Sequence, residues 1–237
     1  MHALEAINLT KSYGGVRAVD DVSFTVGPGR IVAFLGPNGA GKTSTLQLML
    51  GLAEPDSGSA RIFDQRYADL DRPSSVVGAL LDSGGLHPGR SGRNHLRVLA
   101  AAAKLPPARV EQVLALVGME QAAHRPVKTY SLGMKQRIGL AAALLGDPRI
   151  LILDEPANGL DPAGMRWLRE LLRRFADDGG TVLLASHVLA EVADVAHDVV
   201  VIGSGKVLAA APLADFAAGR RLEDTYLELT ATHGGMR

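Results

Sequence analysis

The sequence predicts an α/β fold in which a mostly parallel sheet is wrapped by crossover helices and interrupted by a helical insertion. Three observations carry this expectation. Short, continuous apolar runs typical of strands buried on both faces, "RIVAFLG", "RILILDEP" and "TVLLASH", alternate with segments of helical spacing. Such alternation implies parallel strands joined by helices. A glycine-rich turn, "GPNGAGKT" at residues 36 to 43, joins the first of these runs to a helix. From about Asp82 to Tyr130 the texture changes to helical spacing broken by Pro106 and Pro107.

Taken in order, "ALEAINLT" and "VSFTV" alternate apolar and polar residues and read as half-buried strands. "RIVAFLG" is a buried strand, followed by a helix from Gly41 to about Leu52 and a further strand at "GSARIFD". "NHLRVLAAAAKL" and "PARVEQVLALVG" are the helices of the insertion. Ser131 is a good N-cap for the helix "KQRIGLAAALL". "RILILDEP" and "TVLLASH" are buried strands, each followed by a helix, "DPAGMRWLRELLRRFADD" and "VLAEVADVAHD". The hairpin "DVVVIGSGKVLAAAP" turns at Gly203–Ser204–Gly205, and "RLEDTYLELTATHGG" forms a short helix with a frayed end. The segment "DSGGLHPGRSGRN", residues 82 to 94, carries four glycines and suits a stretch that moves rather than packs.

The 237 residues are expected to form one domain with a helical subdomain at about 83–147 and a helical tail at about 212–237. Hydrophobic residues at 47% and charged residues at 21% suffice for a sizeable core. A formal net charge of zero weighs against nucleic acid or an anionic membrane as a direct partner. The absence of cysteine excludes disulfides and thiolate metal sites. The start "MHALEAINLTKSYGG" has neither a basic region nor an apolar region of a secretory signal. No stretch approaches the roughly 20 apolar residues that cross a bilayer. A cytoplasmic location follows, with any membrane link made through a partner.

"GPNGAGKT" matches G-x-x-x-x-G-K-[ST] at every fixed position, after a buried strand and before a helix. The backbone from Gly36 through Pro37, Asn38, Gly39, Ala40 and Gly41 can wrap phosphates, with Ser44 just beyond. Lys42 can reach the β- and γ-phosphates, and Thr43 can ligate Mg²⁺. Asp154 and Glu155 end a buried strand, where ligands bind in open α/β sheets. Asp154 can hold Mg²⁺ through water, and Glu155 can polarise an attacking water as general base. His187 ends the next buried strand, where a neutral imidazole can donate to the γ-phosphate and orient that water. The alternative for each is structural: a turn, a strand cap, or a histidine satisfied within the fold. "YSLGMKQR", residues 130 to 137, is a second small-residue helix start, a ready anion site in a chain that already has one.

"GPNGAGKT", "YSLGMKQR", "LDEPANGLDP" and "LLASH", in this order, resemble the nucleotide-binding subunit of an ATP-binding-cassette (ABC) transporter. The likeness covers about Leu4 to Val207. "YSLGMKQR" and "NGLDP" are most similar to the bacterial multidrug, bacitracin and lantibiotic exporter branch. The resemblance implies a phosphate-loop NTPase core with an N-terminal antiparallel β subdomain and a helical insertion subdomain. It implies ATP and Mg²⁺ as ligands, ATP hydrolysis as the activity, and a polytopic membrane permease as partner. It also implies a head-to-tail pair with a second copy or a homologous ATPase subunit, located peripherally on the inner face of the membrane. In such a pair Ser131 and Gly133 cover the ATP held by the partner's phosphate loop, so the second anion site is half of a shared one.

The family's common signature is Leu-Ser-Gly-Gly-Gln; here Tyr130, Leu132 and Met134 depart from it, while Ser131 and Gly133 are kept. The family's glutamine loop, which touches Mg²⁺, aligns with Asp82, whose carboxylate can accept from a metal-bound water but cannot donate as an amide does. Tyr13 matches the aromatic that stacks on adenine, and Asp161 matches the loop that crosses to the partner, besides being a good N-cap before Pro162. A ribosome- or DNA-directed member of the superfamily would carry two cassettes or a long coiled coil, and this chain has one cassette and no sustained heptads between Thr43 and Ser131. A small-molecule kinase would leave "YSLGMKQR" unexplained.

Overall fold

The computed structural model describes residues 1–81, 85–217 and 219–233. The chain opens with β1 (Leu4–Tyr13) and β2 (Val16–Val26), then β3 (Ile31–Leu35), α1 (Lys42–Met49) and β4 (Ser57–Ile62). A short α2 (Pro73–Val76) leads into β5 (Val77–Leu80). The insertion follows as α3 (Gly92–Ala102), α4 (Ala108–Leu116) and α5 (Leu132–Leu144). The core resumes with β6 (Ile150–Asp154), α6 (Pro162–Asp177), β7 (Thr181–Ser186) and α7 (Leu189–Ala193). It closes with β8 (Asp198–Gly203), β9 (Lys206–Pro212), α8 (Leu213–Ala217) and α9 (Leu222–His233).

Two sheets result. The first is antiparallel, in the order β2-β1-β4, and the second runs β5-β6-β7-β3-β8-β9 with only β9 antiparallel to its neighbour. Every residue of β3, β6 and β7 is buried, as their unbroken apolar runs require of central parallel strands. Successive side chains of a strand point to opposite faces, and β3 shows the result. Ile31, Ala33 and Leu35 pack into the core shared with α5 and α6, whereas Val32 and Phe34 pack into the core beneath α1 and the antiparallel sheet.

The edge strand β5 is the one strand among the described residues that the sequence reading lacks. It is four residues long and carries Gly78, where an added Cβ would lie 2.0 Å from the Ala143 carbonyl oxygen. The glycine lets the backbone of α5 press against the sheet, and it also hides the strand from a propensity argument.

Two helices are shorter than their periodicity suggests. α1 stops at Met49 because Gly51 adopts a left-handed φ of 63° and the Gly51 and Leu52 amides turn back onto Leu48 and Gln47. α7 stops at Ala193 because His197 is claimed by β3: its amide donates to the Ile31 carbonyl at 2.8 Å and its Nδ1 accepts from the Ile31 amide at 2.9 Å.

The segment expected to move over 82–94 is fastened along its described second half. The Pro88 and Arg90 carbonyls accept from Lys128 and Val127, and the Gly92 amide donates to the Tyr130 hydroxyl. That hydroxyl also donates to the Ala122 carbonyl at 3.0 Å. Arg137 ties the insertion to the core: its guanidinium stacks 4.2 Å from the Trp167 ring centroid on α6 and donates to the Val117 carbonyl. Among the described residues no helix is long and apolar enough to cross a membrane.

Candidate functional site

The carboxyl ends of β3 and β6 and the start of α1 surround a cleft of about 320 Å³, with the end of β7 beside it. Pro37, Asn38, Gly39, Gly41, Lys42, Thr43, Ser44, Asp154 and Glu155 line it, together with Ala18. Gly36 and Ala40 belong to the same loop but face inward. A Cβ on Gly36 would lie 2.5 Å from the Ile202 carbonyl oxygen, and Ala40 is 3% exposed. Gly41 takes a φ of 101°, and a Cβ there would lie 2.3 Å from the Ala18 carbonyl oxygen. A side chain at either position would break the loop.

The terminal hairpin braces this loop from behind. The Gly205 amide donates to the Ala40 carbonyl at 3.0 Å, and the Gly205 carbonyl accepts from Asp20 at 2.8 Å. Lys206 pairs with Asp20 at 3.2 Å, and this hydrogen bond holds the Asp20 carboxyl below the usual carboxylate range.

Within the cleft the charged groups are already in mutual contact. Lys42 is 7% exposed, and its Nζ donates to the Gly36 carbonyl at 2.7 Å and the Pro37 carbonyl at 3.3 Å. It also lies 3.8 Å from Glu155 Oε1. Thr43 Oγ1 donates to Asp154 Oδ2 at 2.5 Å. His187, exposed at the end of β7, places Nδ1 2.8 Å from Glu155 Oε1. Glu155 holds a left-handed φ of 49°, rare for a residue with a side chain. Its amide donates to the Ala185 carbonyl at 2.9 Å, which registers the residue against β7.

The remaining sequence-read positions lie elsewhere. Tyr13 ends β1 at the hairpin to β2, 44% exposed, with the Lys11 ammonium 5.7 Å from its ring centroid, and it does not line the cleft. Ser131 is the N-cap of α5, its Oγ accepting from the Met134 amide at 3.2 Å, and neither it nor Gly133 lines the cleft of its own chain. Asp161 caps α6, with Oδ1 accepting from the Gly164 amide at 2.7 Å. Asp82 lies outside the described residues.

Sequence reasoning passed over Gln136, which is 5% exposed and reaches the Glu155 carbonyl with Nε2 at 3.4 Å. Flanked by Lys135 and Arg137, it carried no local signal in the sequence.

The oxygen donors fit Mg²⁺. This ion takes few protein ligands and completes its shell with water and phosphates, and Thr43 and Asp154 present a hydroxyl and a carboxylate side by side. Among the described residues no group of three or more His, Asp or Glu side chains forms a self-sufficient metal cage. A glycine-rich loop, a buried lysine and adjacent carboxylates at the carboxyl edge of the sheet are an arrangement that can serve phosphoryl transfer.

Comparisons with known proteins agree with this chemistry. Residues 19–158 match the ABC transporter family. The ABC transporter ATP-binding protein YhcH of Bacillus subtilis is 40% identical over 208 residues, covering 86% of this chain and 68% of the relative. The bacitracin transport ATP-binding protein BcrA of Enterococcus faecalis is 37% identical, covering 87% and 68%. The lantibiotic transport ATP-binding protein SrtF of Streptococcus pyogenes is 37% identical, covering 86% and 89%. The solved ATP-binding subunit of an ABC transporter superposes with a TM-score of 0.83 at 30% identity, over 96% of this chain and 99% of that one. With the loop, the paired carboxylates and the sheet order all accounted for, the chain belongs to the ABC transporter family as one of its ATP-hydrolysing subunits.

Proposed function

We propose that this subunit binds ATP with Mg²⁺ in the cleft and pairs head to tail with a second copy or a homologous subunit. The pair drives a polytopic permease that exports an antibiotic peptide, drug or similar compound. The observation that carries this reading is the convergence of Lys42, Thr43, Asp154 and Glu155 in one cleft, with His187 in contact with Glu155 at its edge. The relatives named for bacitracin and lantibiotic transport support the cargo class. Attachment to the inner face of the membrane runs through the permease.

In this reading the backbone of residues 36–44 wraps the phosphates, and Lys42 exchanges its two carbonyl partners for phosphate oxygens. Thr43 and Asp154 would hold Mg²⁺, Asp154 through water. When bound, the ion would neutralise charge on the β- and γ-phosphates. Glu155 takes a proton from the attacking water, and His187, in contact with that carboxylate, orients both. The γ-phosphoryl group passes to water and ADP departs. Tyr13 offers its exposed ring to the adenine. Ser131 and Gly133 serve the nucleotide of the partner, which their position outside their own cleft supports. Asp82 occupies the glutamine-loop position, and Asp161 combines its capping contact with a place in the crossing loop.

The test is Glu155→Gln. It should keep ATP binding, slow hydrolysis by roughly 10²-fold or more, and accumulate an ATP-bound pair that runs at double mass on a sizing column. Hydrolysis at the original rate would remove Glu155 from the role of base.

A further inference from the structure

The loop that carries Glu155 rests on the first turns of α5 at two points. At the first, Leu132 and Gly133 meet Gly159 so closely that a Cβ on Gly159 would lie 2.4 Å from Leu132 Cγ, and one on Gly133 2.8 Å from the Gly159 carbonyl oxygen. At the second, Gln136 donates from Nε2 to the Glu155 carbonyl. Gln136 is 5% exposed and its acceptor Oε1 is buried with no hydrogen-bond partner among the described residues. An amide kept in the interior with its acceptor unmet is kept for its donor, because a buried polar atom without a partner is otherwise selected against. The donor's target is the peptide of a residue in a strained left-handed conformation. That peptide has one other clamp on its carbonyl, the Asn158 amide at 3.2 Å.

We propose that Gln136 is a positioning residue for Glu155, fastening the general base to the helix that begins at Ser131. Ser131 and Gln136 lie about 7.5 Å apart along one helix at 1.5 Å per residue, so they move together. The inference rests on the reading in which Ser131 faces the partner's ATP. The base that activates water at a chain's own nucleotide is then aligned by the helix that grips the other nucleotide, and each site is set by the occupancy of its neighbour.

The test uses Gln136→Met, which keeps the shape of the side chain and removes the donor, in the full-length chain with ATP. A misplaced base should lower kcat by roughly tenfold to hundredfold while the affinity of the monomer for ATP stays within about twofold. Because Ser131 is untouched, ATP-bound pairs should accumulate on a sizing column, as they do when the base itself is removed. Slow hydrolysis with loss of pairing would instead make Gln136 a prop for α5 alone and overturn the proposal, as would an unchanged kcat.

Should Gln136→Met fail to fold, Gln136→Glu decides. A buried carboxyl facing a carbonyl donates only when protonated. Its kcat relative to the unaltered chain should therefore rise as pH falls from about 8 to about 6, and a flat ratio overturns the proposal. Glu155→Gln run in parallel separates the two readings. If that variant hydrolyses at full rate, the base assignment fails; if it does not and Gln136→Met is normal, only the present inference fails.

Discussion

Glu155 pays for its position in backbone strain. A non-glycine residue at a φ of 49° costs on the order of 1–3 kcal/mol, and the fold retains it because the turn aims the carboxylate at Lys42 and His187. Glycine at this site removes the strain, and Lys42 keeps the Gly36 and Pro37 carbonyls as partners. Glu155→Gly should therefore abolish hydrolysis yet raise the melting temperature by about 2–4 °C, the shift that about 1 kcal/mol produces in a chain of this size. A melting curve that falls would show that the carboxylate's contacts outweigh the strain. The residues of this site were legible because their chemistry sits in short stretches of fixed spacing, as in "GPNGAGKT" and "RILILDEP". Gln136 was not, since its partner is the peptide of Glu155, brought to it by the packing of α5 on the sheet rather than by spacing.

Among the elements, the β8–β9 hairpin has the least obvious task. Its glycine turn is plain in the sequence, but that the turn bonds to Ala40 across the fold is not, because nothing local encodes a contact so distant along the chain. Gly205 takes a φ of 80°, and a Cβ there would lie 3.0 Å from the Ala18 carbonyl oxygen. Gly205→Val should leave the sheet folded by circular dichroism while weakening nucleotide affinity about tenfold, a loss of about 1.4 kcal/mol. Titration with a fluorescent nucleotide measures it, and unaltered affinity would mean the phosphate loop holds its shape unaided. The misjudged ends of α1 and α7 have the same origin as the unseen prop. Helical periodicity continues past the point where Gly51 turns and where His197 is drawn to β3, and only the tertiary partner of each decides the boundary.

For the molecule as a whole, the decisive question is which chain Ser131 serves. Ser131→Arg should leave ATP affinity of the isolated monomer nearly unchanged and abolish ATP-driven pairing, whereas Lys42→Ala should weaken binding itself. Equal loss of monomer affinity in both variants would contradict the head-to-tail arrangement. The fold class was legible because three buried strands announce themselves as unbroken apolar runs, and the antiparallel layer followed from resemblance.

Those same strands have an electrostatic consequence. Ile31–Leu35, Ile150–Leu153 and Val182–Ala185 form a slab of wholly buried apolar residues behind the cleft. Such a slab has low polarisability, and lines of force from a charge on its rim pass poorly through it. Lys42, Asp154 and Glu155 are therefore backed by an insulator, and their potentials project outward through the mouth, towards solvent. A chain of zero net charge thus presents an approaching triphosphate with a local field set by one ammonium, two carboxylates and the loop amides, so its capture rate depends on ionic strength and on a divalent cation that offsets the carboxylates rather than on overall charge.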